Sequence, residues 1–184
     1  MEEIDVLDAI HGALYSGAMD ALALSMDFLF RFELIWLLIG LTLFLSNRYR
    51  SMGTVLLFAI AFEICSVYLL KYGVDRTRPV DEYGIDALIT SFDTSSFPSA
   101  HTAQWFCAAT VFAMFYRESI PPMFAAAFLV AVTRLYLYAH YPTDVIAGAV
   151  VGIACAFLSA LIVLRPSPRT VMVRSGQPPE EASE

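Results

Sequence analysis

The residues of this sequence that can do chemistry gather in three short stretches. Lys71, the only lysine, is followed seven positions later by Arg78 and Pro79. Two cations just past an apolar segment can cradle an anion, although a lysine in that place also reads as a snorkelling end-of-helix charge. Next comes Pro98-Ser99-Ala100-His101. Ser99 is placed to cap a helix, and a helix N-terminus offers unpaired N–H groups and a positive dipole end, both suited to phosphate. The Ala100 and His101 amides and the Ser99 hydroxyl could point at one oxyanion, with His101 beside it as a proton donor. Taken alone, the segment reads equally as ordinary capping. The third stretch runs from Thr133-Arg134 to His140 and Asp144. The spacing of four from His140 to Asp144, at a helix start, lets the carboxylate bond one ring nitrogen and aim the other outward. That is the logic of an oriented base, applied to a histidine nucleophile. A surface His–Asp pair is the plainer reading of those two residues by themselves.

The elements that must position these residues belong in a membrane. Hydrophobic residues make up 58% of the 184 and charged residues 16%, against roughly half and a quarter in soluble domains. Residues 145–164 run twenty positions without a charge. At about 1.5 Å per residue, such a run crosses a roughly 30 Å hydrocarbon layer. Further apolar segments cover 28–45, flawed by Arg31 and Glu33, then 52–70, 99–116 and 120–138. The pattern predicts an all-α integral membrane helical bundle of about five transmembrane helices over residues 28–164. Residues 1–27, with Asp5, Asp8, Asp20 and Asp27 set among apolar positions, read as an N-terminal amphipathic helix in the interface, or as a sixth span. The 165–184 segment, rich in Pro, Ser and Glu, reads as a disordered cytoplasmic tail. The long link over 72–98 is acidic, with Asp75, Asp81, Glu82, Asp86 and Asp93, and its length marks a functional loop.

Basic residues orient the bundle. With five spans, Arg48, Arg50, Arg117, Arg165, Arg169 and Arg174 fall on one side, the cytoplasmic one; Arg31 breaks the pattern. The outer ends of the last four spans then share the opposite face. Lys71, Arg78, Ser99, His101, Arg134, His140 and Asp144 can therefore line one pocket. Three cations, a capped helix and two histidines describe a phosphate site with an acid and a nucleophile.

These residues resemble the type 2 phosphatidic acid phosphatases, a family that shares its core with vanadium haloperoxidases. The family's motifs are Lys, six residues, Arg-Pro; Pro-Ser-Gly-His; and Ser-Arg, five residues, His, three residues, Asp. Here they read Lys71 to Arg78-Pro79, Pro98-Ser99-Ala100-His101, and Thr133-Arg134 to His140 to Asp144. Ala100 stands for glycine and Thr133 for serine, both small. The resemblance covers residues 71–164 and implies roles for the site. Lys71, Arg78 and Arg134 would bind phosphate oxygens, with hydrogen bonds from Ser99 and the Ala100 amide. His140 would attack phosphorus to give a phosphohistidine, Asp144 would fix the His140 tautomer, and His101 would protonate the leaving group and then activate water. No metal and no cofactor is expected, because cations supply the charge that magnesium supplies elsewhere.

The expected substrate is a membrane lipid phosphate presented from the outer leaflet of the plasma membrane. The leading reading is a polyprenyl diphosphate of the undecaprenyl or dolichyl type, with phosphatidic acid or phosphatidylglycerol phosphate as the alternative. A lipid phosphotransferase and an anion transporter are the rival classes. A net charge of −7 argues against nucleic acid as a partner. Cys65, Cys107 and Cys155 read as small buried thiols, and the acidic Met1-Glu2-Glu3 is unlike a signal peptide. Mid-span Glu63 needs a partner or a cavity. Trp36 and Trp105 read as packing residues, Arg76 as a solvated loop charge, and His11 as interfacial. Gly148, Gly152 and Ala156 recur every four residues, a face for close helix packing within the bundle or for a homo-oligomer.

Overall fold

A computed structural model of the chain describes residues 2–30, 34–86, 88 and 95–164. Arg31, Glu33, Asp93 and the 165–184 segment, with Arg165, Arg169 and Arg174, lie outside the described residues. The chain runs through α1 (Glu3–Leu14), α2 (Gly17–Phe30), α3 (Leu34–Leu45), α4 (Arg50–Val74), the short α5 (Pro79–Glu82), α6 (Ala100–Phe115), a 3-10 turn (Arg117–Ser119), α7 (Ile120–Tyr136) and α8 (Pro142–Val163). No strand occurs among the described residues.

The expected all-α membrane bundle is what forms. The stretches Arg50–Glu82, Arg117–Tyr136 and Pro142–Val163 are long and apolar enough to cross a membrane. The other two expected spans are shorter: α3 has 12 residues and α6 has 16, or about 18 and 24 Å at 1.5 Å per residue.

The N-terminal segment departs from the single amphipathic helix expected. It makes two helices, broken at Tyr15-Ser16. Ser16 starts the second, its hydroxyl accepting the Met19 N–H at 3.2 Å and its carbonyl accepting the Asp20 N–H at 3.0 Å. Its acids do not all face water either; several turn inward, as described below.

The core lies between α4, α6 and α8, which pack on one another, while α3 covers α4. Small residues permit the approach. A Cβ on Gly152 would sit 2.0 Å from the Ala103 carbonyl oxygen, and one on Gly148 2.5 Å from the Ser99 carbonyl oxygen. The Gly148/Gly152 face is thus filled by α6 inside the bundle. Trp36 and Trp105 pack edge to face with centroids 5.0 Å apart. Glu63 is buried in α4. Cys107 and Cys155 are buried, but Cys65 faces outward. At the end carrying Arg48, Arg50 and Arg117, the Tyr49 and Tyr116 rings meet at 6.4 Å. The chemical residues lie at the opposite end.

Candidate active site

Four helix termini build this end. Helix α4 stops at Asp75, whose backbone is left-handed (φ 46°) and whose N–H bonds the Lys71 carbonyl. The chain then passes through Arg76 and Arg78 and is fastened to the segment before α6. Ser96 N–H bonds the Arg76 carbonyl at 2.7 Å, Arg76 N–H bonds the Ser95 hydroxyl at 2.9 Å, and the Lys71 ammonium donates to the Ser95 carbonyl.

Helix α7 ends in a Schellman turn: Ala139 N–H bonds the Arg134 carbonyl and Tyr138 N–H bonds the Leu135 carbonyl, each at 3.1 Å. Tyr138 takes the left-handed position (φ 52°), where glycine is usual. That turn delivers His140. Helix α8 opens with Pro142 at its first position. Asp144 Oδ2 accepts the Tyr141 N–H at 2.9 Å, one half of a capping box. The Ser99 N–H donates to the Asp144 carbonyl at 3.0 Å, so α6 and α8 start side by side.

The His140 ring is buried, and its tautomer follows from its partners. Nδ1 lies 2.7 Å from the Ser96 carbonyl oxygen, which can only accept, so Nδ1 carries the proton. Nε2 lies 3.3 Å from Arg78 Nη1, which can only donate, so Nε2 presents its lone pair. Burial is the largest influence on the imidazole and lowers its pKa. The nearby Asp144 carboxylate opposes this and the Arg78 and Lys71 charges reinforce it, leaving a value of about 3. His140 is therefore neutral at ordinary pH.

The direct His140–Asp144 hydrogen bond expected from the spacing does not form. Nδ1 and Oδ2 are 3.8 Å apart, within reach of charge but too far for a bond. Asp144 instead accepts the Ser96 hydroxyl at 2.6 Å, and the carbonyl of that same Ser96 orients the histidine. The other Asp144 oxygen accepts Arg76 Nη1 at 2.7 Å. Arg76 is accordingly no solvated loop charge: it also bonds Glu3 and the Thr143 hydroxyl, and lies over the Tyr141 ring at 3.8 Å.

Of the other expected site residues, Arg78 also donates to the Ala139 carbonyl at 3.0 Å. Ser99 starts α6, but its hydroxyl pairs with Thr102 Oγ1 at 3.0 Å and makes no side-chain cap bond. Ala100 is the first residue of α6. His101 Nε2 is buried with no hydrogen-bond partner among the described residues, and the charges around it are Arg134, His140, Asp27 and Arg78. Arg134 is held by Asp27, Nη1 to Oδ1 at 2.6 Å, with both side chains buried. Among the described residues no group of three His, Cys, Asp or Glu side chains is placed to hold a metal ion.

The N-terminal acids meet this end of the bundle one after another. Glu3 accepts the Thr143 N–H and hydroxyl, Asp8 the Tyr138 hydroxyl at 2.8 Å, Asp20 the Tyr136 hydroxyl, and Asp27 the Arg134 guanidinium. His11 donates Nδ1–H to the Tyr136 carbonyl at 3.0 Å and stacks on the Tyr136 ring, so it is docked against the end of α7. The opposite, apolar face of α1 lines a groove of about 710 Å³, together with α6, α7 and α8. Val6, Ile10, Phe106, Phe128, Leu135 and Val145 are among its walls; Leu135 and Val145 adjoin Arg134 and Asp144 in the chain.

Arg76, Ser96, Asp27 and Glu3 are the site neighbours that motif reading missed. Arg76 lies inside the first motif and drew notice only as a cation. The other three carry no local signal, since their partners lie 44 to 140 positions away.

Fold and site define an integral membrane helical protein that gathers basic side chains and two histidines at one end. The chain belongs to the PAP2 superfamily, whose family model matches residues 52–168, from the start of α4 past the end of α8. It is 31% identical over 118 residues to a lipid A 1-phosphatase of Rhizobium johnstonii, covering 61% of this chain and 48% of that protein. It is 28% identical over 132 residues to an undecaprenyl-diphosphatase of Sulfolobus acidocaldarius, covering 71% and 64%. The chain thus spans about half the length of the first relative and under two thirds of the second. The crystal structure of Aquifex aeolicus LpxE superposes with a TM-score of 0.69 at 25% identity, covering 85% of this chain and 93% of that one.

Proposed function

We propose that this protein hydrolyses the phosphate of a membrane lipid through a phosphohistidine at His140, with a polyprenyl diphosphate as substrate. One observation carries the reading. The proton of His140 is committed to the Ser96 carbonyl, which leaves a neutral Nε2 lone pair facing the cation Arg78. A base held that way is inert toward a proton at neutral pH and well placed to meet phosphorus drawn in by positive charge.

The reaction balances on the residues present. Nε2 attacks phosphorus as the bond to the leaving oxygen breaks, and His101, protonated once the phosphate charge lies beside it, gives its proton to that oxygen. Water then attacks the phosphohistidine, giving its proton to His101 while the P–N bond breaks and phosphate leaves. Lys71, Arg78, Arg134, Ser99 and the Ala100 amide bind the phosphate oxygens, and no metal takes part in either step. Asp144 stabilises the positive ring at short range. The apolar groove beside Arg134 and Asp144 takes the hydrocarbon chain. The basic residues Arg48, Arg50 and Arg117 lie at the far end, so that end is cytoplasmic and the site faces outward from the plasma membrane.

The undecaprenyl-diphosphatase relative supports a diphosphate substrate. Removal of a phosphomonoester from a glycolipid or phospholipid, phosphatidic acid and phosphatidylglycerol phosphate included, is the second reading, favoured by the lipid A 1-phosphatase relative. Phosphate release by the purified protein should be measured on polyprenyl diphosphates and on phospholipid monoesters, alongside His140→Ala. Faster release from the diphosphate and no turnover by the variant are expected. Full turnover by His140→Ala would sink the mechanism. Binding of lipid phosphate without any release would favour an anion transporter, and transfer to a lipid acceptor a phosphotransferase.

A further inference from the structure

The Asp27–Arg134 pair is unusual for its surroundings. A site that collects an anion has a carboxylate inside it, 2.6 Å from one of its own cations, with side-chain exposures of 3% and 2%. Asp27 comes from α2, outside the 52–168 stretch that the family model covers. The motif that supplies the arginine therefore does not supply its partner. Burying such a pair is costly unless it does something.

We propose that Asp27 is a positioning residue that fixes the Arg134 guanidinium for phosphate, a role that rests on the phosphatase reading above. The bonds around Arg134 define the geometry. Asp27 Oδ1 takes an N–H of Nη1, and Thr133 Oγ1 takes Nε–H and an N–H of Nη2, at 3.4 and 3.3 Å. A guanidinium has five N–H donors in one rigid plane. Gripped on two sides, the plane has its orientation set before substrate arrives, and one N–H on each terminal nitrogen remains for a pair of phosphate oxygens. Without Asp27 the side chain must be ordered at each binding event. The Asp27 charge also reaches His101, so the pair sits within the electrostatics of the pocket and not behind it.

The test uses the full chain in detergent with orthovanadate, which mimics phosphate at the point of attack. Asp27→Asn keeps the shape and loses the charge. It should raise KM and the vanadate Ki about tenfold while kcat changes much less. In an Arg134→Ala background the same substitution should move Ki by less than about twofold, because the two residues act as one. An unchanged or lowered Ki in Asp27→Asn, or equal increments in both backgrounds, overturns the proposal. Such results would make Asp27 a docking contact for α2 or a brake on anion binding. If Asp27→Asn does not fold, Asp27→Glu replaces it: a raised Ki supports the role and an unchanged one overturns it. An active, vanadate-sensitive, His140-dependent wild type with an unaltered Asp27→Asn variant removes this inference alone. A wild type inert toward lipid phosphates removes the phosphatase reading and the inference with it.

Discussion

At His140 three neighbours divide the work. The Ser96 carbonyl decides which ring nitrogen bears the proton, Arg78 faces the other, and Asp144 contributes charge from 3.8 Å. Burial and the two nearby cations hold the imidazole at about 3, below its ordinary 6.5. A base with a depressed folded pKa contributes stability that is present above 6.5 and is lost as pH falls toward 3. Protonation of His140 therefore does not limit the free enzyme at mildly acid pH. Replacing Arg78 by Gln removes one lowering charge and should shift the acid limb of kcat/KM to higher pH, read from initial rates across a pH series. A second prediction concerns Arg76. Arg76→Ala removes the cation from buried Asp144, which keeps its bonds from Ser96 and Tyr141, and should cost about 1–3 kcal/mol, measurable by unfolding in detergent. kcat should fall with KM nearly unchanged, and Arg76→Lys should recover part of both. The motif residues were legible because their spacing is local. Ser96 was not, because it acts through a carbonyl that every residue possesses. Asp27 was not, because an acid on an amphipathic segment looks the same whether it meets water or a buried arginine.

Among the elements, α6 and α8 set the site through the closeness of their axes. A Cβ on Gly152 has a backbone oxygen 2.0 Å away, and backbone cannot step aside as a side chain can. Gly152→Ala should cost about 3 kcal/mol, the upper end of overpacking penalties, and should also lower activity by parting Ser99 from Asp144. Gly12 supplies the contrast. It lies inside α1 with open space where a Cβ would go. Gly12→Ala should be neutral or stabilising by about 0.5–1 kcal/mol. Thermal unfolding of the two variants side by side checks both. The apolar segments were readable from hydropathy: each holds a helix among the described residues, and three of the stretches are long and apolar enough to cross a membrane. The break at Tyr15-Ser16 was not readable, since Ser16 caps α2 through bonds to its near neighbours Met19 and Asp20 and the apolar pattern runs on through it.

Over the whole molecule, the first two helices close across the end of the bundle. Burial pushes the Glu3 carboxyl upward, but bonds from Thr143 and Arg76 outweigh it and hold the group below its ordinary 4.5. A lowered carboxyl contributes docking stability that is present above pH 4.5 and is lost as pH falls through the folded value. Acidification should therefore loosen α1 first, seen as protease cleavage at the exposed Tyr15 before the bundle unfolds. In Glu3→Gln the same cleavage should appear at neutral pH.

The contacts that the acids of that cover make with α7 and the start of α8 span 107 to 140 positions of sequence. On the ribosome, Glu3, Asp8, Asp20 and Asp27 emerge long before Arg134, Tyr136, Tyr138 and Thr143 exist to receive them. A nascent chain interrupted anywhere before α8 thus holds neither a finished pocket nor a docked cover. The pocket is therefore assembled only once α8 has left the ribosome, late in the making of the bundle.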